Sequence, residues 1–173
     1  LIFDEMITGF RYHGWSKARH DGVKPDLSCF GKAMANGFSI ACLGGKHGIM
    51  EQGARQDMFL ASTTHGAETT GLAAMMATID AFETHDMISL NWRRGESLRE
   101  RLNQVLASRG LRDVIEVKGD PCLMLLVCKD DQGNVSDGFR TLLMQEMIAR
   151  GVLFQGMLYP TWSHQAPELD WIV

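Results

Sequence analysis

Leu1-Ile2-Phe3-Asp4-Glu5 and Leu27-Ser28-Cys29-Phe30-Gly31-Lys32 carry the strongest structural signal in the chain. Each is a short apolar run that stops on a chemically active side chain, an acid in the first and a lysine behind a glycine in the second. Runs of this length bounded by Gly or Pro suit buried strands rather than helices. A carboxylate at the end of one strand and an amine just past the end of its neighbour can serve a single pocket. On residue type alone, a surface lysine and a helix-capping aspartate would read the same way.

Outward from these stretches the pattern becomes mixed. Thr8 to His20 combines Gly, aromatic and basic residues without a period and reads as loop with one short helix, and Pro25 breaks the chain before the second run. Phe38–Leu43 reads as a third strand closed by Gly44-Gly45, with a short helix from Lys46 to about Gln52. A long helical pattern starts near Gly66 and runs, with an interruption, to Ser108. Leu72, Met75, Met76, Ile79 and Phe82 recur at the spacing of one buried face, and Leu98, Leu102, Val105 and Leu106 continue such a face. Val114–Val117, Leu123–Cys128 and Val152–Phe154 read as strands, and Asp137–Arg150 as a helix with Gly151 just past its end. The pattern divides into residues 1–90 and a small α+β part, 91–173.

Composition bounds the function. The 173 residues carry 17 Lys+Arg against 21 Asp+Glu, a net charge of −4, with 45% hydrophobic residues. That is the profile of a globular protein with no basic footprint for nucleic acid and no apolar run long enough for a transmembrane helix. Neither nucleic acid nor membrane is an expected partner. Cys29, Cys42, Cys122 and Cys128 lack CxxC spacing and read as free thiols of a reducing cytoplasm. The six histidines show no metal-ligand spacing, so no metal is expected. The opening, with no initiator Met and no signal sequence, reads as an internal piece of a longer protein.

The site chemistry starts from Asp4 and Lys32. A lysine beside small and apolar residues has its ammonium form disfavoured, and its amine then attacks carbonyls. With a carboxylate in the same pocket it suits pyridoxal phosphate, whose aldehyde takes a lysine and whose ring nitrogen needs an acidic partner. The surrounding words, Leu1-Ile2-Phe3-Asp4-Glu5-Met6-Ile7-Thr8-Gly9-Phe10-Arg11, Gly22-Val23-Lys24-Pro25-Asp26-Leu27 and Gly31-Lys32, resemble the class III aminotransferases of the fold-type I pyridoxal-phosphate enzymes. Closest in wording are glutamate-1-semialdehyde aminomutase-like members. The likeness is dense over the first 45 residues and looser beyond.

The resemblance implies an α/β fold: the C-terminal part of a large domain with a mainly parallel sheet, within residues 1–90, then a small α+β domain over 91–173, truncated at its end. It implies that Asp4 hydrogen-bonds the pyridine nitrogen and that Lys32 is the Schiff-base lysine that moves the proton. It also implies that Thr63 binds the cofactor phosphate of the other subunit, with Thr64 as the neighbouring alternative, in a homodimer with shared active sites. The activity implied is amino transfer, as aminotransferase or aminomutase, between small-molecule donor and acceptor. The family's phosphate loop and ring-stacking aromatic precede the acid-bearing strand, so the chain by itself is expected to be inactive. A non-catalytic fragment or pseudo-enzyme that folds and dimerises without cofactor is the alternative. Among the other polar residues, Arg11, Tyr12 and Trp15 either line the substrate mouth or pack as a loop. Arg93-Arg94 and Arg99-Glu100-Arg101 read as a solvated helix face, His65 as a helix-start hydrogen bond in preference to an approach to the cofactor near Thr63, and Glu5 as a partner without a proton-transfer role.

Overall fold

The computed structural model describes residues 1–54, 64–66 and 68–173. It resolves into two compact units, Leu1–Ile88 and Ser89–Val173.

The first unit is built on a three-stranded sheet in the order β1-β2-β3, with β1 Ile2–Asp4, β2 Leu27–Phe30 and β3 Cys42–Gly45. β1 and β2 are parallel, with Ile2 opposite Leu27, Phe3 opposite Ser28 and Asp4 opposite Cys29. β2 and β3 are antiparallel. Among the described residues the sheet is therefore mixed, one parallel pair and one antiparallel, where a mainly parallel sheet was the expectation. β3 also begins later than the Phe38–Leu43 reading. Phe38 is exposed, and the glycines expected to end the strand lie inside it. Gly45 pairs with Leu27, and a Cβ there would come within 2.3 Å of the Asp26 carbonyl oxygen. Glycine is what lets the two backbones approach this closely.

Around the sheet lie α1 (Lys17–His20), a 3-10 turn at Lys32–Ala35, α2 (His47–Met50) with a 3-10 turn at Glu51–Ala54, and α3 (Thr69–His85). α3 packs against the Lys32–Ala35 turn. Its buried point is Gly71, where a Cβ would meet the Ser39 carbonyl oxygen at 3.1 Å. The covered stripe runs through Ala74, Met75, Thr78, Ile79 and Phe82. Leu72 and Met76, placed on the buried face by spacing, are exposed, Met76 to 63%. The small residue wins the contact because it admits a backbone that a leucine would push away. An aromatic group of Phe10, Trp15, Phe30 and Phe82 fills the space between loop, sheet and helix, with Phe10 5.3 Å from Trp15 and 5.8 Å from Phe82. The long helical pattern is interrupted at Asp86, whose φ of 45° ends α3. α4 (Met87–Ser108) follows.

The second unit carries an antiparallel sheet in the order β4-β5-β6, with β4 Ile115–Asp120, β5 Leu123–Cys128 and β6 Met157–Leu158. β5 alternates as a half-covered strand should: Met124, Leu126 and Cys128 are buried while Leu125 is exposed. These three join Leu98 and Leu106 of α4, Ile115, Phe154, Leu158 and Leu169 in one core. Leu169 comes from α6 (Ala166–Ile172), and Phe139, Leu143 and Met147 of α5 (Asp137–Ala149) pack on its margin. α4 approaches the β4–β5 turn so closely that a Cβ on Gly95 would lie 1.9 Å from the Pro121 carbonyl oxygen.

Val152–Phe154 is not a strand. Past α5 the Gly151 amide donates to Ile148 and the Val152 amide to Met147, with Gly151 at φ 84°. This glycine-closed helix end consumes the amide a sheet would need. Leu153 is then turned out, 88% exposed, while Phe154 drops into the core. Pairing resumes only when Gly156 accepts from the Leu126 amide ahead of β6. Arg94, read as part of a solvated face, instead donates to the carbonyls of Thr161 (3.1 Å) and Trp162 (2.6 Å) and to Gln165 (3.0 Å). No described helix is long and apolar enough to cross a membrane.

Candidate functional site

Because β1 and β2 are parallel, their C-terminal ends lie on the same side of the sheet. In open α/β sheets this is the side where ligands bind. Asp4 is the last residue of β1 and stands opposite Cys29, and Lys32 follows three residues after Cys29. The structure thus brings the two sequence-read site residues to one edge of one strand pair. Both are exposed.

Lys32 opens its 3-10 turn at φ 45°, a left-handed conformation costly for a residue with a Cβ. The turn is anchored on either side of it. Met34 and Ala35 are buried, the Met34 amide donates to the Gly31 carbonyl at 3.0 Å, and Asn36 closes the turn in αL. Ahead of it, a Cβ on Gly31 would lie 2.4 Å from the methyl of Met6. The lysine is therefore presented outward from a fixed base, with no hydrogen-bond or ion-pair partner among the described residues.

Asp4 is aimed locally. Its Oδ1 accepts from the Met6 amide at 3.0 Å. Glu5, beside it, is fully buried. Its Oε1 accepts from the Ser16 hydroxyl (2.7 Å) and the Ala18 amide (2.8 Å), and its Oε2 from the Lys17 amide (3.0 Å) and the Thr8 hydroxyl. Burial, the largest single influence, pushes this carboxyl up, but the four donors together outweigh it and hold it below the ordinary glutamate range. A carboxylate with both oxygens occupied in this way is no general base. The two backbone amides belong to the first turn of α1, so Glu5 also supplies the negative charge that a helix start favours.

The segment between Glu5 and Ala18 is packed rather than open. Tyr12 is 2% exposed, its ring beside His20 and under the Lys17 ammonium, and Trp15 stacks into the aromatic group. The Arg11 Nε donates to the Ile7 carbonyl at 2.9 Å. Of the two readings for Arg11, Tyr12 and Trp15, the packed loop is the one observed.

Thr63 lies outside the described residues. Thr64 is an exposed turn residue ahead of α3. His65 makes the hydrogen bond at the helix start, its Nδ1 3.1 Å from Glu68 Oε2, with Glu68 at the N-cap. No metal-holding group of His, Cys, Asp and Glu occurs among the described residues. The four cysteines are free. The register puts Cys29 opposite Leu43 and Cys42 opposite Phe30, so the two thiols of the first sheet point to opposite faces. A cavity of about 630 Å³ opens in the second unit between the Val152–Pro160 segment and α6, lined by Leu98, Phe154, Tyr159, His164 and Trp171. It contains neither Asp4 nor Lys32, and the chemistry read from the sequence does not belong to it.

Known proteins are similar to this chain over most of its length. A sequence model described as aminotransferase class-III matches residues 1–167. A 3-aminobutyryl-CoA aminotransferase of Cloacimonas acidaminovorans is 32% identical over 155 residues, covering 90% of this chain and 36% of its own length. A glutamate-1-semialdehyde 2,1-aminomutase of Methanocella arvoryzae is 36% identical over 112 residues, covering 65% of this chain and 26% of its own. Among solved structures, a PLP-bound amine transaminase from an uncultivated Pseudomonas species superposes with a TM-score of 0.83 at 26% identity, over 99% of this chain and 42% of that one. The chain spans about a third of the length of these relatives.

Proposed function

The chain belongs to the class-III aminotransferase family, and on that premise we propose that it carries the lysine and ring-nitrogen acid of a pyridoxal-phosphate enzyme that moves an amino group. The observation that carries this reading is the shared C-terminal edge of β1 and β2, with Asp4 at one strand end and Lys32 beyond the other.

The residues fit the group. When bound, the cofactor supplies an electron-poor ring that stabilises negative charge on the adjoining carbon. The Asp4 carboxylate, held by the Met6 amide through one oxygen, would accept a hydrogen bond from the protonated pyridine nitrogen and so keep the proton on the ring. The Lys32 amine, exposed on its anchored turn, would hold the aldehyde carbon and, once released by the incoming amine, carry a proton to and from the reacting carbons. Thr63 is proposed for the phosphate. Whether the transfer runs between two small molecules or within one separates an aminotransferase from an aminomutase, and relatives of both kinds are similar to this chain. The reading extends to a homodimer with shared sites and, from its free thiols, to the cytoplasm.

The test is covalent capture. The chain is incubated with pyridoxal phosphate, reduced with borohydride and peptide-mapped. A single pyridoxyl mass on the peptide of Lys32, lost in Lys32→Ala, is the expected result. Equal labelling of Lys32→Ala would overturn the assignment. A wild-type chain that takes no label would favour the cofactor-free alternative.

A further inference from the structure

Glu5 is the one buried charged side chain among the described residues, and the chemistry assigned to Asp4 and Lys32 makes no use of it. Resting on the reading of Asp4 above, we infer that Glu5 is the positioning residue of the site: it pins the turn from which the Asp4 carboxylate is aimed. Its backbone is held at both ends. The Glu5 amide donates to the Cys29 carbonyl at 2.8 Å, carrying the β1–β2 ladder one residue past the strand, and its carbonyl accepts from Gly9 at 2.8 Å. Its carboxylate is held by four donors from Thr8, Ser16, Lys17 and Ala18. With residue 5 fixed at amide, carbonyl and side chain, the Met6 amide has one direction left, and that amide is what Asp4 Oδ1 accepts from.

Consecutive side chains of an extended segment point opposite ways. Glu5 therefore turns into the loop as Asp4 turns out to the edge, and the grip on one sets the aim of the other. Glycine at position 9 belongs to the same device: a Cβ there would meet the Glu5 carbonyl oxygen at 2.6 Å and the Phe30 ring at 2.8 Å. The donor set also requires the carboxylate form. Two of the four donors are backbone amides, one on each oxygen, and an N–H cannot turn round to accept. The amide nitrogen of a glutamine would face one of them, donor against donor.

The experiment is Glu5→Gln in the 173-residue chain, read by NMR at Met6 and Asp4 and by pyridoxal-phosphate affinity. Expected are about ten-fold faster hydrogen exchange at the Met6 amide, a moved Asp4 carboxyl-carbon resonance and about ten-fold weaker binding. A folded Glu5→Gln chain with the wild-type Met6 exchange and Asp4 carboxyl-carbon resonance would overturn the inference. Should Glu5→Gln not fold, Ser16→Ala and Thr8→Val each delete one donor and leave the two amide bonds. They should move Met6 and Asp4 in the same direction by less, and no movement in either would overturn it. A disturbed Met6 and Asp4 with unchanged cofactor affinity would support the positioning role while removing Asp4 from the ring nitrogen, so the two readings fail separately.

Discussion

The two units reach order by different means. In Ser89–Val173 the interior is a continuous apolar cluster around Met124 and Leu98, with no buried charge. Among the described residues of Leu1–Ile88 the strands are three and four residues long, the packing is aromatic, and the best-buried side chain is a carboxylate. Conformational exactness is concentrated in one of the two units. Apolar burial is non-directional and forgiving of rotation, whereas a carboxylate held by four donors is satisfied in one geometry only. The unit that bears Asp4 and Lys32 is the one built on direction.

Four perturbations should separate the two units. Met124→Ala removes a side chain with 0% exposure from the centre of the second core and should cost about 2–5 kcal/mol, as buried Met-to-Ala changes do. Urea unfolding followed by exchange at the β5 amides measures it, and a loss under 1 kcal/mol would mean that core is not the source of order. Acid should act on the first unit. Glu5 is held below the ordinary glutamate range in the folded state, so its stabilisation is present above the unfolded pKa, about 4.3, and is lost as pH falls through the lower folded value. The second unit also has a lowered carboxyl, Glu116, held down chiefly by Lys129, but it is a surface pair and screened. Trp15 fluorescence below pH 4 should therefore report loosening before the β5 amides lose protection; the reverse order would break the comparison.

Ser16→Ala removes both the N-cap of α1, where Ser16 accepts from the Arg19 amide at 3.2 Å, and one donor to Glu5. A loss of about 1 kcal/mol is expected, typical of a lost cap, seen as a lower midpoint in the Trp15 signal. Lys32→Gly relieves the positive φ at that position and should leave stability level or raise it by up to about 1 kcal/mol, while abolishing covalent capture of the cofactor. A clear destabilisation would show that the lysine side chain supports its own turn.

Much of this was legible in the residues. β2, β5 and α5 follow their apolar runs within a residue, because bounded runs and a glycine just past a helix are local signals. Asp4 and Lys32 stood out because each ends such a run. What the sequence concealed was decided by neighbours distant along the chain. Spacing put Leu72 and Met76 on the buried side of α3, but Gly71 meeting Ser39 rotated the contact away from them. Val152–Phe154 has strand composition, yet its first amide was already taken by Met147. Arg94 looks like a surface cation until the Thr161 and Trp162 carbonyls are brought to it. Glu5 was recognisable as a partner of the acid, but Ser16, Lys17 and Ala18, which it grips, lie beyond Arg11, outside the stretches that carry the resemblance.

The buried carboxylate also bears on how the chain assembles in time. Its donors lie at sequence separations of 3, 11, 12 and 13, and the strand pair it extends joins residues 25 apart. Closing loops this short costs little chain entropy, and contacts so local form fast. The edge that presents Asp4 and Lys32 is therefore encoded within the first 32 residues and is expected to take shape early, ahead of the β5–β6 pairing, which must bring Met124 to Leu158.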